Sequence, residues 1–187
     1  MKNSTVKGIP LVILDRDGVI NHDSTAFIKS PAEWIAYPQS LEALRLLHQA
    51  GIKVAVASNQ SGVGRGLFTE DTLKDIHHKM ISTVEAAGGQ IDSIFYCPHS
   101  PEAGCLCRKP KPGLLLQIQR HYQVDLTQIP VIGDSWRDLE AALAVNAIPI
   151  LVKTGNGPKT LHAHHEDLKD IDVFESLLHA VQSLIKK

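Results

Sequence analysis

Two carboxylates stand two residues apart in Asp15-Arg16-Asp17-Gly18, directly after an apolar run that ends at Leu14. One such carboxylate can attack phosphorus when a cation and fixed donors offset the repulsion between anions, and its neighbour can move a proton to or from the leaving oxygen. A second apolar run, Val54 to Ala57, opens into Ser58-Asn59-Gln60-Ser61-Gly62, where a hydroxyl, side-chain amides and nearby backbone N–H groups suit a phosphate cradle. Arg108-Lys109-Pro110-Lys111-Pro112-Gly113 is a basic loop stiffened by prolines ahead of a helix, with Arg108 and Lys109 as candidates for phosphate and Lys111 read as a solvated charge. A further strand ends in Gly133-Asp134, whose carboxylate is a hard oxygen ligand suited to Mg2+ beside Asp15. Ser135 and Asp138 have the spacing of a helix capping box, and Asp138 is equally a candidate for supporting the site.

A separate constellation is Cys97-x-His99-x5-Cys105-x-Cys107. Three thiolates and one imidazole make a full tetrahedral shell for Zn2+ with no open position, which implies a structural site. The loop runs straight into Arg108 and Lys109, so zinc is expected to fix both. Other histidines are read as bland: His162, His164 and His165 as a solvated loop, His77 and His78 as surface or boundary residues of a helix. Trp34 and Trp136 either line the mouth of the site or pack at the core edge.

Something must bring these stations together. Short runs rich in Val and Ile recur at residues 9–14, 53–57, 91–96, 129–132 and 148–152 and read as buried strands. Helical spacing lies between them: Leu41, Leu44 and Leu47; Leu73, Ile76, Met80 and Val84; Leu115 to Tyr122; Leu139, Ala142 and Leu143. A last amphipathic helix runs from Phe174 to Ile185, with Lys186 and Lys187 complementing its C-terminal dipole. The alternation predicts an α/β fold, a Rossmann-like parallel sheet with helices on both faces, whose ligands bind beyond the carboxyl ends of the strands. Asp23 to Pro38 is expected to form a substrate-facing loop.

With 187 residues and no Pro/Gly linker, one domain over 1–187 is expected, carrying the zinc loop at 97–107. Hydrophobic residues at 43% and charged residues at 21% argue against a disordered, collagen-like or coiled-coil chain. A net charge of -1 offers no excess of cations for a nucleic-acid backbone. No apolar run approaches the roughly 20 residues that cross a bilayer, and the signal-like start with Lys2 and Lys7 is cut short by Asp15, Arg16 and Asp17. The three clustered cysteines suit a reducing compartment, so a cytoplasmic protein is expected, and a monomer without nucleic-acid or membrane partners is the expected state.

In order and spacing, D-x-D-G, a strand-end Ser, a basic Lys and G-D-x-x-x-D resemble the haloacid dehalogenase superfamily of phosphatases. Over nearly the whole chain, LDRDGVIN, SNQSGVGRG, YCPH, CLCRKPKPG and GDSWRD resemble the D-glycero-D-manno-heptose-1,7-bisphosphate 7-phosphatase family, with histidinol-phosphate phosphatases as near neighbours. The resemblance implies a haloacid dehalogenase-like fold without a large cap domain. It makes Asp15 the nucleophile and Asp17 the acid and base, has Ser58 and Lys109 steady the phosphoryl group, and gives Arg108 a part in recognition. By the same resemblance Asp15, the Asp17 carbonyl and Asp134 hold Mg2+, while Asp23, Ser24, Thr25 and Ala26, with Asn59, Gln60 and Ser61, match the substrate loops.

The activity implied is removal of a sugar 7-phosphate through an aspartyl phosphate, in nucleotide-activated heptose and lipopolysaccharide core synthesis. Histidinol phosphate is the alternative substrate, mildly disfavoured because no dehydratase-like domain is attached. A zinc-stabilised binding module without turnover is the alternative from another class, and the presence of Asp15, Asp17, Ser58, Lys109 and Asp134 stands against it. One departure from some family members is Ser135, where they carry Lys.

Overall fold

The structure is a computed structural model and describes residues 10–186. Ile9, which the sequence places in the first strand, lies outside the described residues, as do Lys2, Lys7 and Lys187. In chain order the elements are β1 Leu11–Leu14, α1 Pro38–Gln49, β2 Lys53–Asn59, the single turn α2 Ser61–Gly64, α3 Glu70–Ala86, β3 Ser93–Cys97, α4 Gly113–Tyr122, β4 Pro130–Gly133, α5 Trp136–Leu143, β5 Ile148–Val152, α6 Gly157–Ala163, β6 Asp172–Phe174 and α7 Leu177–Ile185. The strands lie in the order β3-β2-β1-β4-β5-β6, every neighbouring pair parallel.

Period-two alternation explains why the central strands are apolar throughout: both faces are covered. Val12 and Leu14 of β1, with Val54 and Val56 of β2, pack into a core layer with Leu44 and Leu47 of α1, Ile76, Met80 and Val84 of α3, and Leu177 and Val181 of α7. Leu11 and Ile13, with Ala55 and Ala57, face the opposite layer against Leu114, Leu115 and Ile118 of α4 and Ala141 and Ala142 of α5. After β1 the chain builds outward through β2 and β3, then returns to the other side of β1 as β4. That reversal opens a crevice beyond the carboxyl ends of β1 and β4, the place where such sheets bind ligands. No insertion of domain size interrupts the sheet among the described residues.

Some local expectations are corrected. Phe174 belongs to β6, a sixth strand too short to stand out in the sequence, and the last helix begins at Leu177. His77 is buried at 7% against Tyr96 rather than at the surface, and Trp34 takes the packing alternative, in the core at 3% exposure. His162 lies on α6 rather than in a loop, while Trp136 stacks on His164 with ring centroids 4.5 Å apart. None of the described helices is long and apolar enough to cross a membrane.

Candidate active site

Asp15 is the first residue past β1, and its N–H still donates to Ile132 O of β4 at 3.0 Å, so the crevice edge itself fixes its backbone. Its side chain faces Lys109, whose ammonium lies 3.0 Å from Asp15 Oδ1 and 2.6 Å from Asp138 Oδ1 and donates to Ala57 O at 2.6 Å. Lys109 is only 3% exposed. Burial works against its charge, but Asp138 and Asp15 outweigh that and hold it protonated. Asn59 clasps the Lys109 backbone in both directions, donating from Nδ2 to the carbonyl at 2.9 Å and accepting the N–H at Oδ1 at 3.0 Å. Its amide is thereby engaged in placing the lysine, although Asn59 also lines the cleft.

Asp17 is held by four bonds. Arg16, buried to 1% exposure, donates from Nε and Nη2 to the two carboxylate oxygens at 3.0 and 2.9 Å; Asn21 Nδ2 and Gln60 Nε2 each add a bond of 2.9 Å. Burial pushes this carboxyl up, yet Arg16 and the two amides bring it below its ordinary value. Gln60 ties the group together: it also donates to Ser58 Oγ at 2.7 Å and accepts from Arg16 Nη2 at 3.0 Å. Arg16 was invisible as a site residue because it reads as the middle of a charged turn. Its partner Gln60 is 44 residues away.

Asp134 follows β4 at 2% exposure and accepts from Asn156 N–H at 2.7 Å and Asn156 Nδ2 at 3.2 Å. Two glycines approach its carboxylate. A Cβ on Gly18 (φ +83°) would stand 2.0 Å from Asp134 Oδ2, and one on Gly155 (φ +56°) 2.2 Å from it. Both positions therefore require glycine for space and for backbone conformation. Asn156 Nδ2 also reaches Asp23 Oδ2 at 2.8 Å, which ties the loop after β1 to the loop after β5. Asp138 combines both sequence readings: its Oδ2 accepts Ser135 N–H and Oγ–H at 3.0 and 2.6 Å at the start of α5, and its Oδ1 pairs with Lys109.

Oxygens of Asp15, Asp134 and Asp138 lie within 4.8 Å of one another, and the Lys109 ammonium pairs with Asp15 and Asp138. Burial pushes Asp15 up to about 7, with Lys109 opposing and Asp138 and Asp17 adding to the rise. Burial and then the charges of Asp15 and Asp138 take Asp134 to about 8. Asp138 is held by Lys109 and Ser135, and the single ammonium that Asp15 shares with it leaves the three carboxylates short of positive charge, so Asp15 and Asp134 offer the oxygen donors that Mg2+ takes.

The cysteine and histidine constellation also closes in space. Cys97 Sγ is 3.5 Å from His99 Nδ1, 3.5 Å from Cys105 Sγ and 3.2 Å from Cys107 Sγ; Cys107 Sγ is 3.3 Å from His99 Nδ1 and 3.5 Å from Cys105 Sγ. These spacings are near the edges, about 3.4 to 3.8 Å, of a tetrahedron with Zn–N and Zn–S bonds of ordinary length. They are far beyond a disulfide bond. Lys111, read as solvated, instead donates to the loop carbonyls of Gly104 and Cys105, each at 2.9 Å.

The four carboxylates Asp15, Asp17, Asp134 and Asp138 line one cleft of about 350 Å³, whose wall also includes Ser58, Lys109 and Arg108. Asp23, Ser24, Asn59, Gln60 and Ser61 line it too; Thr25 and Ala26 are exposed and do not. Sequence reasoning passed over Arg16, Arg65, Arg137 and Asn156, which also contribute to the wall. For Asn156 a signal existed, since Thr154-Gly155-Asn156-Gly157 is a polar, glycine-rich segment at the end of β5.

A parallel sheet in this order with an aspartate at the ends of both β1 and β4 defines a haloacid dehalogenase-type hydrolase, and the family model described as HAD-hydrolase-like matches residues 106–180. The D-glycero-beta-D-manno-heptose-1,7-bisphosphate 7-phosphatase of Bordetella bronchiseptica is 56% identical over 151 residues, 81% of this chain and 84% of the relative. That of Neisseria meningitidis serogroup A is 47% identical over 178 residues, 95% of each chain. The crystal structure of the D,D-heptose 1,7-bisphosphate phosphatase from B. bronchiseptica, complexed with magnesium and phosphate, superposes with a TM-score of 0.92 at 50% identity, covering 95% of this chain and 99% of that one. The chain belongs to the D-glycero-beta-D-manno-heptose-1,7-bisphosphate 7-phosphatase family.

Proposed function

We propose that this chain, acting as one domain, hydrolyses the 7-phosphate of D-glycero-D-manno-heptose 1,7-bisphosphate, a step in the synthesis of nucleotide-activated heptose for the lipopolysaccharide core. The observation that carries the reading is Asp15 at the end of β1, facing Lys109 at 3.0 Å in the cleft it shares with Asp134. The names of the relatives support the sugar over histidinol phosphate, and the β anomer in particular.

Asp15 attacks the phosphorus and the bond to the sugar oxygen breaks as Asp17 delivers a proton to that oxygen. Asp17, now ionised, takes a proton from the water that cleaves the aspartyl phosphate, which releases phosphate and restores Asp15. Arg16, Asn21 and Gln60 stabilise the ionised form that the second step needs. Protonation for the first step requires Asp17 to give up part of that shell. Lys109 and Ser58 balance the charge on the transferring phosphoryl oxygens. Mg2+, held by Asp15, the Asp17 carbonyl and Asp134, would supply a divalent charge against those oxygens.

Zn2+ at Cys97, His99, Cys105 and Cys107 has a structural part: it holds the loop from which Arg108 and Lys109 project. Clustered free thiols support a reducing cytoplasmic setting. A monomer is supported by the placement of Ile35, Leu67, Leu106, Leu143 and Ile148, exposed one by one on different segments. A phosphate-release panel with Mg2+ over both anomers of heptose 1,7-bisphosphate, histidinol phosphate and fructose 1,6-bisphosphate tests the assignment. The heptose should lead in kcat/KM; a lead for histidinol phosphate would overturn the substrate, and no turnover of any would overturn the enzyme.

A further inference from the structure

Segment 23–26 is exposed, and most of its hydrogen bonds stay within the turn: Ser24 N–H donates to Asp23 Oδ1 at 2.7 Å, Ala26 N–H to Ser24 Oγ at 3.2 Å, Phe27 N–H to Ser24 O at 3.1 Å and Lys29 Nζ to Ala26 O at 2.7 Å. Among the described residues one hydrogen bond ties the segment to a distant part of the chain, from Asn156 Nδ2 to Asp23 Oδ2 at 2.8 Å, across 133 positions. Phe27 follows at φ +65°, a conformation unfavourable for a bulky side chain, so the turn depends on what holds it. The same amide nitrogen donates to Asp134 Oδ2 at 3.2 Å, and Asn156 N–H reaches that oxygen at 2.7 Å. An amide has two hydrogens, so one side chain serves both carboxylates. Asn156 is itself bracketed, since Thr154 Oγ1 donates to Gly18 O and Thr160 Oγ1 to Asp134 O at 2.9 Å. Asp23 and Asp134 are thus like charges drawn to one nitrogen. A cation on Asp134 would relieve their repulsion and favour the pinned segment, and a ligand that orders the segment fixes the amide and with it the Asp134 carboxylate.

We propose that Asn156 is a positioning residue that couples segment 23–26 to Asp134, so that Mg2+ and the sugar ligand each tighten the binding of the other. The coupling is reciprocal by linkage. The inference rests on the readings above that Asp134 holds Mg2+ and that segment 23–26 meets the sugar.

The test is calorimetric titration of Mg2+ into the wild type, Asn156→Ala, Asp23→Ala and Asp134→Asn, each with and without heptose 1-phosphate. That product has no 7-phosphate to bridge to the metal, so its effect on Mg2+ passes through the protein. Titration of the product into each protein confirms that it is saturating. In the wild type it should tighten the Mg2+ Kd by about fivefold or more. Asn156→Ala should weaken Mg2+ alone by about tenfold and lose the tightening. Asp23→Ala, at an exposed position, should lose the tightening too and keeps the test should Asn156→Ala fail to fold. A merely structural role for Asn156 would weaken Mg2+ and leave the tightening in place. Tightening that survives in either variant overturns the inference, as does a wild type whose Mg2+ affinity no sugar phosphate changes. If Asp134→Asn binds Mg2+ as the wild type does, the magnesium reading falls with the inference; if it loses Mg2+ while Asn156→Ala keeps the tightening, the inference alone falls. Tightening by fructose 6-phosphate and not by heptose 1-phosphate upholds the coupling and removes the heptose assignment.

Discussion

Lys109 and Asp138 form a buried ion pair, 2.6 Å between Nζ and Oδ1 with side chains 4% and 2% exposed, and the same carboxylate caps α5 through its other oxygen. The start of the helix, the lysine and, through the lysine, Asp15 are thus one mechanical unit. Removing Asp138 takes away the nearer of the two carboxylates that offset the buried ammonium and leaves Asp15 at 3.0 Å; breaking a buried pair costs up to about 3 to 5 kcal/mol. Asp138→Asn should therefore lower Tm by up to roughly 20 °C and reduce kcat as Lys109 loses its shortest contact. Thermal unfolding and steady-state kinetics on the same preparation check this; a Tm within 2 °C of wild type would show that the pair carries little of the stability, by about that margin.

Gly18→Ala tests the packing around Asp134. The new methyl group would meet the carboxylate, and the backbone would hold an alanine at φ +83°. The concentration of Mg2+ giving half-maximal activity should rise by about tenfold or more, as when the groups supporting a metal ligand are disturbed. A variant with unaltered Mg2+ dependence would dissociate Asp134 from metal binding.

Metal analysis should find about one equivalent of zinc per chain in protein purified without added metal. Chelation, or Cys105→Ser, should lower Tm together with turnover, because the loop carrying Arg108 and Lys109 loses its cross-link. Far less than one equivalent in active protein contradicts the structural site.

His77 gives the pH dependence of stability its sign. Burial, with Arg16 adding, lowers its imidazole from 6.5 to about 4. The unfolded chain therefore binds the extra proton first as pH falls. The contribution of His77 is complete above about 6.5 and is lost progressively toward pH 4, by about 3 kcal/mol in all. Denaturant unfolding at pH 7.5 and 5 should show this loss in the wild type and a smaller one in His77→Gln. Identical losses in the two would assign the acid sensitivity elsewhere.

The central sheet was legible because its strands are buried on both faces and their ends carry the unusual residues: Asp15, Ser58 and Asp134 each follow an apolar run. The short β6 was not, since three residues give alternation too little length to register. Local reading also failed where a side chain finds its partner far along the chain. Arg16 reads as a solvated charge, yet packing places it under Asp17 and against Gln60. His77 likewise reads as a surface or boundary residue and is buried against Tyr96, while of the two readings of Trp34, site mouth or core edge, packing against the core is the one observed. Asp138 was ambiguous for a physical reason: one carboxylate has two oxygens, and here each serves a different reading.

The account depends most on Asp15 taking the phosphoryl group, so the most direct measurement is phosphate release from heptose 1,7-bisphosphate, with Mg2+, by the wild type and by Asp15→Asn. The carboxamide cannot form the aspartyl phosphate, and the rate should fall by at least about 1,000-fold. A variant that retains activity within tenfold of wild type would contradict the account.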